Sequence, residues 1–307
     1  MNMIETRELT KVYGDTPVVD GLNLTVKKGT VFGFLGPNGA GKTTTILMLL
    51  GMIQPTKGEA YVNGINVQEK PVEVKRISGF MPGESNLYPN MSALDNLLYF
   101  AKFYRIPRNE AQKRAMELLE LVGLKEAARK KVGEFSTGMK QRLLFAQALI
   151  NDPEVLFLDE PTNGLDPKGV VELRDVIRDL KKEGKTVFFS SHILPEVEAV
   201  SDEIGIISQG KLLISGSQEE IKKKFIEGRY LITVETKEPL KITSINVDAI
   251  EWRIEGPNRL IVYSESDVRE ELLKELENSG YTVIDVHLQE PTLEDVFMEL
   301  VYGGRGI

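Results

Sequence analysis

The sequence predicts an α/β protein with a mainly parallel core sheet, followed by a small α+β domain. Three observations predict it. Short apolar runs recur, as in VFGFL (31–35), EVLFLDE (154–160), TVFFSSH (186–192) and EIGIIS (203–208), the pattern of strands buried on both faces. Stretches with helical spacing lie between them. After about residue 217 the texture changes to polar helices mixed with further strands.

Taken in order, the first 35 residues read as strands. LNLTV (22–26) alternates apolar and polar residues, and VFGFL is a buried run. The glycine-rich GPNGAGKTT (36–44) follows, and then the helical TTILMLLGM. EAYVNGINV (59–67) and ISGFM (77–81) read as strands. LDNLLYFAKFY (94–104) and AQKRAMELLELVGL (111–124) are helical, with Gly123 at the end of the second. VVELRDVIRDLKKEG (170–184) is a helix between two buried strands. These elements form one expected domain, residues 1–217, with a helical part at about 85–150. Residues 218–307 form the second. QEEIKKKF opens it as a polar helix, and YLITVET (230–236), RLIVYSE (259–265) and YTVIDVHL (281–288) are its strands. VREELLKELENSG (268–280) is a helix, and LEDVFMELV (293–301) sets Leu293, Val296, Phe297, Leu300 and Val301 on one helical face.

Composition narrows the class. The chain has 307 residues, enough for about two domains. Its 41% hydrophobic and 27% charged residues are a globular mix. Net charge is 38 − 46 = −8, which argues against a broad nucleic-acid-binding surface. There are no cysteines, hence no disulfide framework and no thiolate metal site. No apolar run approaches the roughly 20 residues of a membrane helix, and the first residues carry no apolar signal segment. A soluble cytoplasmic protein is expected.

The first chemical signal is Gly36-Pro37-Asn38-Gly39-Ala40-Gly41-Lys42-Thr43, a full match to G-x-x-x-x-G-K-[ST] between a strand and a helix, with Thr44 next. Glycines let backbone approach phosphate closely. Successive N–H groups and the helix N-terminus make an anion cradle. Lys42 is placed to reach the β- and γ-phosphates and Thr43 to ligate Mg²⁺.

The second signal is an apolar strand, 154–158, that ends in Asp159 and Glu160. Asp159 suits Mg²⁺, at the ion or just behind it. Alternation of side chains along a strand turns Glu160 elsewhere, where it can act as general base for water. The third is Phe135-Ser136-Thr137-Gly138-Met139-Lys140-Gln141-Arg142, which opens the helical LLFAQALI. Ser136 can cap that helix and Gly138 leaves its first amides accessible. A second anion site in one chain could bind a γ-phosphate held by a second subunit.

Together these residues resemble the ATP-binding cassette (ABC) ATPases over about residues 3–217. GPNGAGKTT resembles their Walker A loop, VLFLDE Walker B, and FSTGMKQR the signature usually written LSGGQ. Asn163-Gly164-Leu165-Asp166 resembles the D-loop, and Ser191-His192 the switch histidine. Tyr13 stands where the family stacks an aromatic ring on adenine. The resemblance implies a P-loop core with an antiparallel β subdomain and a helical subdomain, binding ATP and Mg²⁺. His192 would contact the γ-phosphate and help hold Glu160 and water. It also implies a head-to-tail dimer, of two copies or with a paralogue, in which Ser136, Thr137, Gly138 and Met139 close over nucleotide on the other subunit. A separate integral membrane permease would then place the chain on the cytoplasmic membrane face, with no nucleic acid expected as partner. EPTLEDVFMELV (290–301) resembles the ending of drug-resistance and related ABC-2-type exporter ATPases. A soluble ABC ATPase acting on nucleic acid or ribosomes is the alternative. Such chains carry two cassettes or long insertions, and this one carries neither.

Two departures from the pattern stand out. Gly83 occupies the position where the family has a glutamine, with Glu84 next. Either Glu84 substitutes as a metal ligand, or water completes the shell, or communication with the partner differs. In the signature, Thr137 and Met139 replace Gly and Gln, while Ser136 and Gly138 remain.

Overall fold

The computed structural model describes residues 1–226, 230–249, 251–289 and 292–302. The chain divides into two units, Met1–Ser215 and Gly216–Ile307. The first opens with β1 (Asn2–Tyr13), β2 (Thr16–Lys27) and β3 (Val31–Leu35), then α1 (Lys42–Leu49). β4 (Lys57–Val62), β5 (Ile65–Asn66), α2 (Pro71–Ile77) and β6 (Ser78–Met81) follow. The helical part holds α3 (Ala93–Phe103), α4 (Arg108–Leu121) and α5 (Thr137–Ala148). The unit closes with β7 (Val155–Asp159), α6 (Pro167–Lys182), β8 (Thr186–Ser191), α7 (Leu194–Glu198), β9 (Glu203–Ser208) and β10 (Lys211–Gly216).

Two sheets build this unit. One is antiparallel, in the order β2-β1-β4-β5. The run 59–67, read as a single strand, is in fact the β4–β5 hairpin. Asn63 and Gly64 both take left-handed φ, +51° and +76°, the turn that lets two strands fold back within two residues. The other sheet has six strands in the order β10-β9-β3-β8-β7-β6, and β9, β3, β8, β7 and β6 run parallel. Phe32, Phe34 and Phe157 surround Phe188 with ring centroids 5.3–5.8 Å apart. All four are fully buried, which is why these strands read as unbroken apolar runs.

Register decides where the chemistry lands. Leu35 lies opposite Ser191, and Asp159 opposite Ser190. The carboxyl ends of β3, β7 and β8 are therefore level, and the loops leaving them meet at one edge, where open α/β sheets bind ligands.

The second unit consists of α8 (Gln218–Ile226), β11 (Tyr230–Thr236), β12 (Glu251–Glu255), β13 (Arg259–Ser264), α9 (Arg269–Asn278), β14 (Val283–Gln289) and α10 (Leu293–Tyr302). Its antiparallel sheet has the order β12-β13-β11-β14. Ile232, Val234, Leu260 and Val262 of the sheet pack with Leu272 and Leu276 of α9. In α10, Leu293, Val296 and Phe297 are buried, while Leu300 and Val301 are half-buried. Glu290 and Pro291, which begin the exporter-like ending, lie outside the described residues.

Candidate functional site

The loop after β3 is held in shape by its backbone. Gly36 N donates to Ser191 O at 3.2 Å, and Gly210 N donates to Ala40 O at 3.1 Å. Gly41 has φ +103°, and a Cβ there would stand 2.5 Å from Val18 O. Both the dihedral and the space demand glycine. Immediately after it, Lys42 is 6% exposed. Its ammonium donates to Gly36 O (2.7 Å) and Pro37 O (3.1 Å) and lies 3.1 Å from Glu160 Oε1.

Three strand ends supply the partners. Thr43 Oγ1 donates to Asp159 Oδ2 at 2.8 Å. Ser190 Oγ donates to Asp159 Oδ1 at 2.6 Å and accepts from Glu160 N at 3.1 Å. His192 Nδ1 lies 2.8 Å from Glu160 Oε2, and the Glu160 side chain is only 14% exposed. Glu160 turns away from Asp159 for a reason other than strand alternation. β7 stops at Asp159, and Glu160 takes φ +49°, a left-handed conformation that costs a non-glycine residue of order 1 kcal/mol. Gln141 Nε2 on α5 donates to Pro161 O (3.4 Å) and bonds Glu160 O (3.5 Å), holding that kink from the other side.

Of these groups, Lys42, Thr43, Glu160 and His192 border a cavity of about 290 Å³ that is also lined by Val18, Asn38, Gly39, Gly41, Thr44 and Asn163. One cation, an N–H-rich loop, a carboxylate and an imidazole thus face one space that suits a polyphosphate chain. Thr43 and Asp159 offer two oxygen ligands side by side. That set fits Mg²⁺, which takes one or two protein oxygens and fills its other positions with water and phosphate. Among the described residues no group of three or more His, Asp or Glu forms a closed metal cage.

Other predicted residues lie outside this cavity. Gly36 and Pro37 serve through their carbonyls, and Ala40 is buried. Tyr13 ends β1, is 51% exposed and has Lys11 Nζ 5.0 Å from its ring centroid. A Cβ at Gly83 would stand 3.5 Å from both the backbone O and Oδ2 of Asp159, so position 83 faces the carboxylate but offers it no side chain. Glu84 is exposed and does not line the cavity, so the structure does not bring it to Thr43 and Asp159. Ser136 Oγ accepts from Met139 N at 3.3 Å and caps α5. Ser136 and Thr137 are exposed, and Gly138 and Met139 half-buried. Asp166 Oδ1 accepts from Gly169 N at 2.9 Å and caps α6.

Val18 and Ser190 were not picked out from the sequence, and Gln141 was read only as part of the segment 135–142, with no role of its own. For Ser190 a signal exists, a polar residue inside the buried run TVFFSSH, and buried polar groups are informative. Val18 is placed by packing across distant segments and leaves no local mark.

The fold and this site define a P-loop nucleotide-binding ATPase. More narrowly, the chain belongs to the ATP-binding proteins of ABC transporters. The ABC transporter family model matches residues 19–163, and the C-terminal domain of DrrA1-3-like ATP-binding proteins matches residues 216–301. The bacitracin transport ATP-binding protein BcrA of Bacillus licheniformis is 41% identical, over 98% of both chains. The linearmycin resistance ATP-binding protein LnrL of Bacillus subtilis is 34% identical, over 97% of this chain and 98% of its own. The daunorubicin resistance ATP-binding protein DrrA3 of Streptomyces coeruleorubidus is 35% identical, over 97% and 95%. Among solved structures, the dimeric post-hydrolysis cassette MJ0796 bound to ADP and Pi matches with a TM-score of 0.66 at 28% identity, over 70% of this chain and 98% of that one. These relatives are transport and resistance proteins, and they give the nucleic-acid or ribosome alternative no support. Among the described residues no helix is long and apolar enough to cross a membrane.

Proposed function

We propose that this chain is the ATP-hydrolysing subunit of an exporter, and that two copies pair head to tail to close two ATP molecules between them. The observation that carries the reading is the meeting of Lys42, Thr43–Asp159 and Glu160–His192 around one cavity at level strand ends. The loop amides and Lys42 bind the phosphates. Lys42 rests against Glu160, so an arriving γ-phosphate takes over the ammonium and leaves the Glu160 carboxylate free to face water. Glu160 accepts the proton as water oxygen bonds to the γ-phosphorus and the bond to the bridging oxygen breaks, giving ADP and inorganic phosphate. His192 holds Glu160 in aim and donates toward the γ-phosphate. Thr43 and Asp159 are the residues that would hold Mg²⁺, which when bound neutralises phosphate charge. Tyr13, exposed at the end of β1, stacks on adenine.

Ser136 and Gly138 of the partner copy complete each site with hydroxyl and amide donors, and Asp166 lies in the turn that meets the partner. The membrane pore is a separate permease, and the chain works at its cytoplasmic face. Binding energy released on closure drives the permease, and hydrolysis reopens the pair. Transport and resistance relatives, the bacitracin, linearmycin and daunorubicin ATP-binding proteins, favour export of antibiotic-like compounds.

Glu160→Gln tests this reading. Phosphate release is expected to fall about 10²–10⁴-fold, the span of a general base, while light scattering finds an ATP-bound dimer accumulating. Near-normal turnover refutes the proposal.

A further inference from the structure

We infer that Glu196 is a positioning residue that ties the histidine-bearing end of β8 to the turn that follows Glu160. The inference rests on the proposed roles of Glu160 and His192. Glu196 sits on α7 and is 8% exposed. Thr162 Oγ1 donates to Glu196 Oε2 at 2.6 Å, and Ser191 Oγ donates to the same oxygen at 3.1 Å. Ser191 Oγ in turn accepts from Ile193 N at 3.0 Å.

A buried carboxylate is costly unless paired. Among the described residues no Lys, Arg or His forms an ion pair with Glu196, and an apolar side chain would pack there at less cost. What the carboxylate does is fix two hydroxyls at once. Neither hydroxyl lines the nucleotide cavity, but each sits next to a residue that does, Ser191 beside His192 and Thr162 beside Asn163. Thr162 also anchors the turn itself, since Leu165 N donates to Thr162 O at 3.1 Å. That turn abuts the signature segment: a Cβ at Gly164 would stand 2.7 Å from Thr137 Cγ2, and one at Gly138 would stand 3.5 Å from Gly164 O. Glu196 therefore links the segments that carry two cavity residues, His192 and Asn163, and through them the γ-phosphate end of the proposed site to the surface proposed to meet the partner. Two hydrogen bonds to one oxygen tie the two segments together.

The test uses the purified full-length chain and ATP. Thr162→Val and Glu196→Gln are expected to lower kcat about tenfold, the cost of misaiming a group held by a charge-assisted bond. The KM for ATP should stay within about twofold, because the phosphate loop is held by other segments. Thr162→Ser keeps the hydroxyl and should restore kcat. In a His192→Ala background the effect of Glu196→Gln should shrink below about twofold, as expected of residues acting as one unit. Kcat unchanged in both Thr162→Val and Glu196→Gln overturns the inference. So do losses that simply multiply with His192→Ala, or a fall in Tm and affinity with no separate loss of kcat. If Glu160→Gln retains turnover, the proposed function itself fails; if Glu160→Gln is dead while Glu196→Gln turns over normally, only the role of Glu196 falls.

Discussion

The Gly36–Thr44 loop and the Ser136–Met139 turn both open a helix with small residues, yet only the first is surrounded by its chemistry. Around the loop, Lys42 and Glu160 are largely buried, and carboxylates, a histidine and a cavity converge on it. At the turn, Ser136 and Thr137 face outward, and the Ser136 hydroxyl serves its own helix cap. Under the proposed head-to-tail pairing, one chain would hold most of one site and the remaining part of another. The structural reason is register: three level strand ends feed the loop, whereas the turn stands at the start of a single helix.

The comparison breaks most visibly at Lys42. Lys42→Ala should weaken ATP binding about 10–100-fold, the worth of a charge-assisted bond to phosphate. Equilibrium binding of a fluorescent ATP analogue checks it, and unchanged affinity would mean the loop is no more finished than the turn. Glu84→Ala sharpens the border of the finished half. Because Glu84 is exposed and off the cavity, turnover and its Mg²⁺ dependence should stay within about twofold of wild type, the usual reach of a surface change. A marked shift in the Mg²⁺ titration would return Glu84 to the metal.

The smallest effect lies behind the site, at the turn leading into β7. Lys185 Nζ lies 2.7 Å from Asp152 Oδ1 and Arg114 Nη2 lies 3.4 Å away, and the hydrogen bond from Lys185 holds the Asp152 carboxyl below its ordinary pKa. A depressed carboxylate adds stability above its unfolded pKa and loses it as pH falls through the folded one. The Asp152 side chain is 69% exposed, so solvent screens the pair and Asp152→Asn should cost only about 0.5 kcal/mol at neutral pH. Urea unfolding should show that gap closing below about pH 4; a gap that persists in acid would assign the loss to packing.

Much of the first unit was legible because its signals are local. A phosphate loop needs glycines and a lysine at fixed offsets, and buried parallel strands need unbroken apolar runs, so residues 31–44 and 154–160 announce themselves. Short elements escaped. α7 is five residues long, and α2 seven, too brief for helical periodicity to register. β12 alternates exposed and half-buried positions at the sheet edge and carries little apolar content. The left-handed bend at Glu160 was also hidden, since no residue type at that position demands it. The bonds that Ser190 and Glu196 accept, and the one Gln141 donates, join segments that only the folded sheet brings together.

The central claim, that each site is shared between two copies, is tested most directly by mixing two inactive variants. Lys42→Ala keeps its signature turn but loses its phosphate loop. Gly138→Asp keeps its loop but sets a carboxylate where γ-phosphate should arrive; a Cβ at position 138 meets nothing closer than Gly164 O, at 3.5 Å. Alone, each should be nearly dead. Mixed in equal amounts, half the pairs contain both variants and each such pair has one intact site, so about a quarter of wild-type ATP turnover should return. A mixture no more active than its components would contradict the shared site.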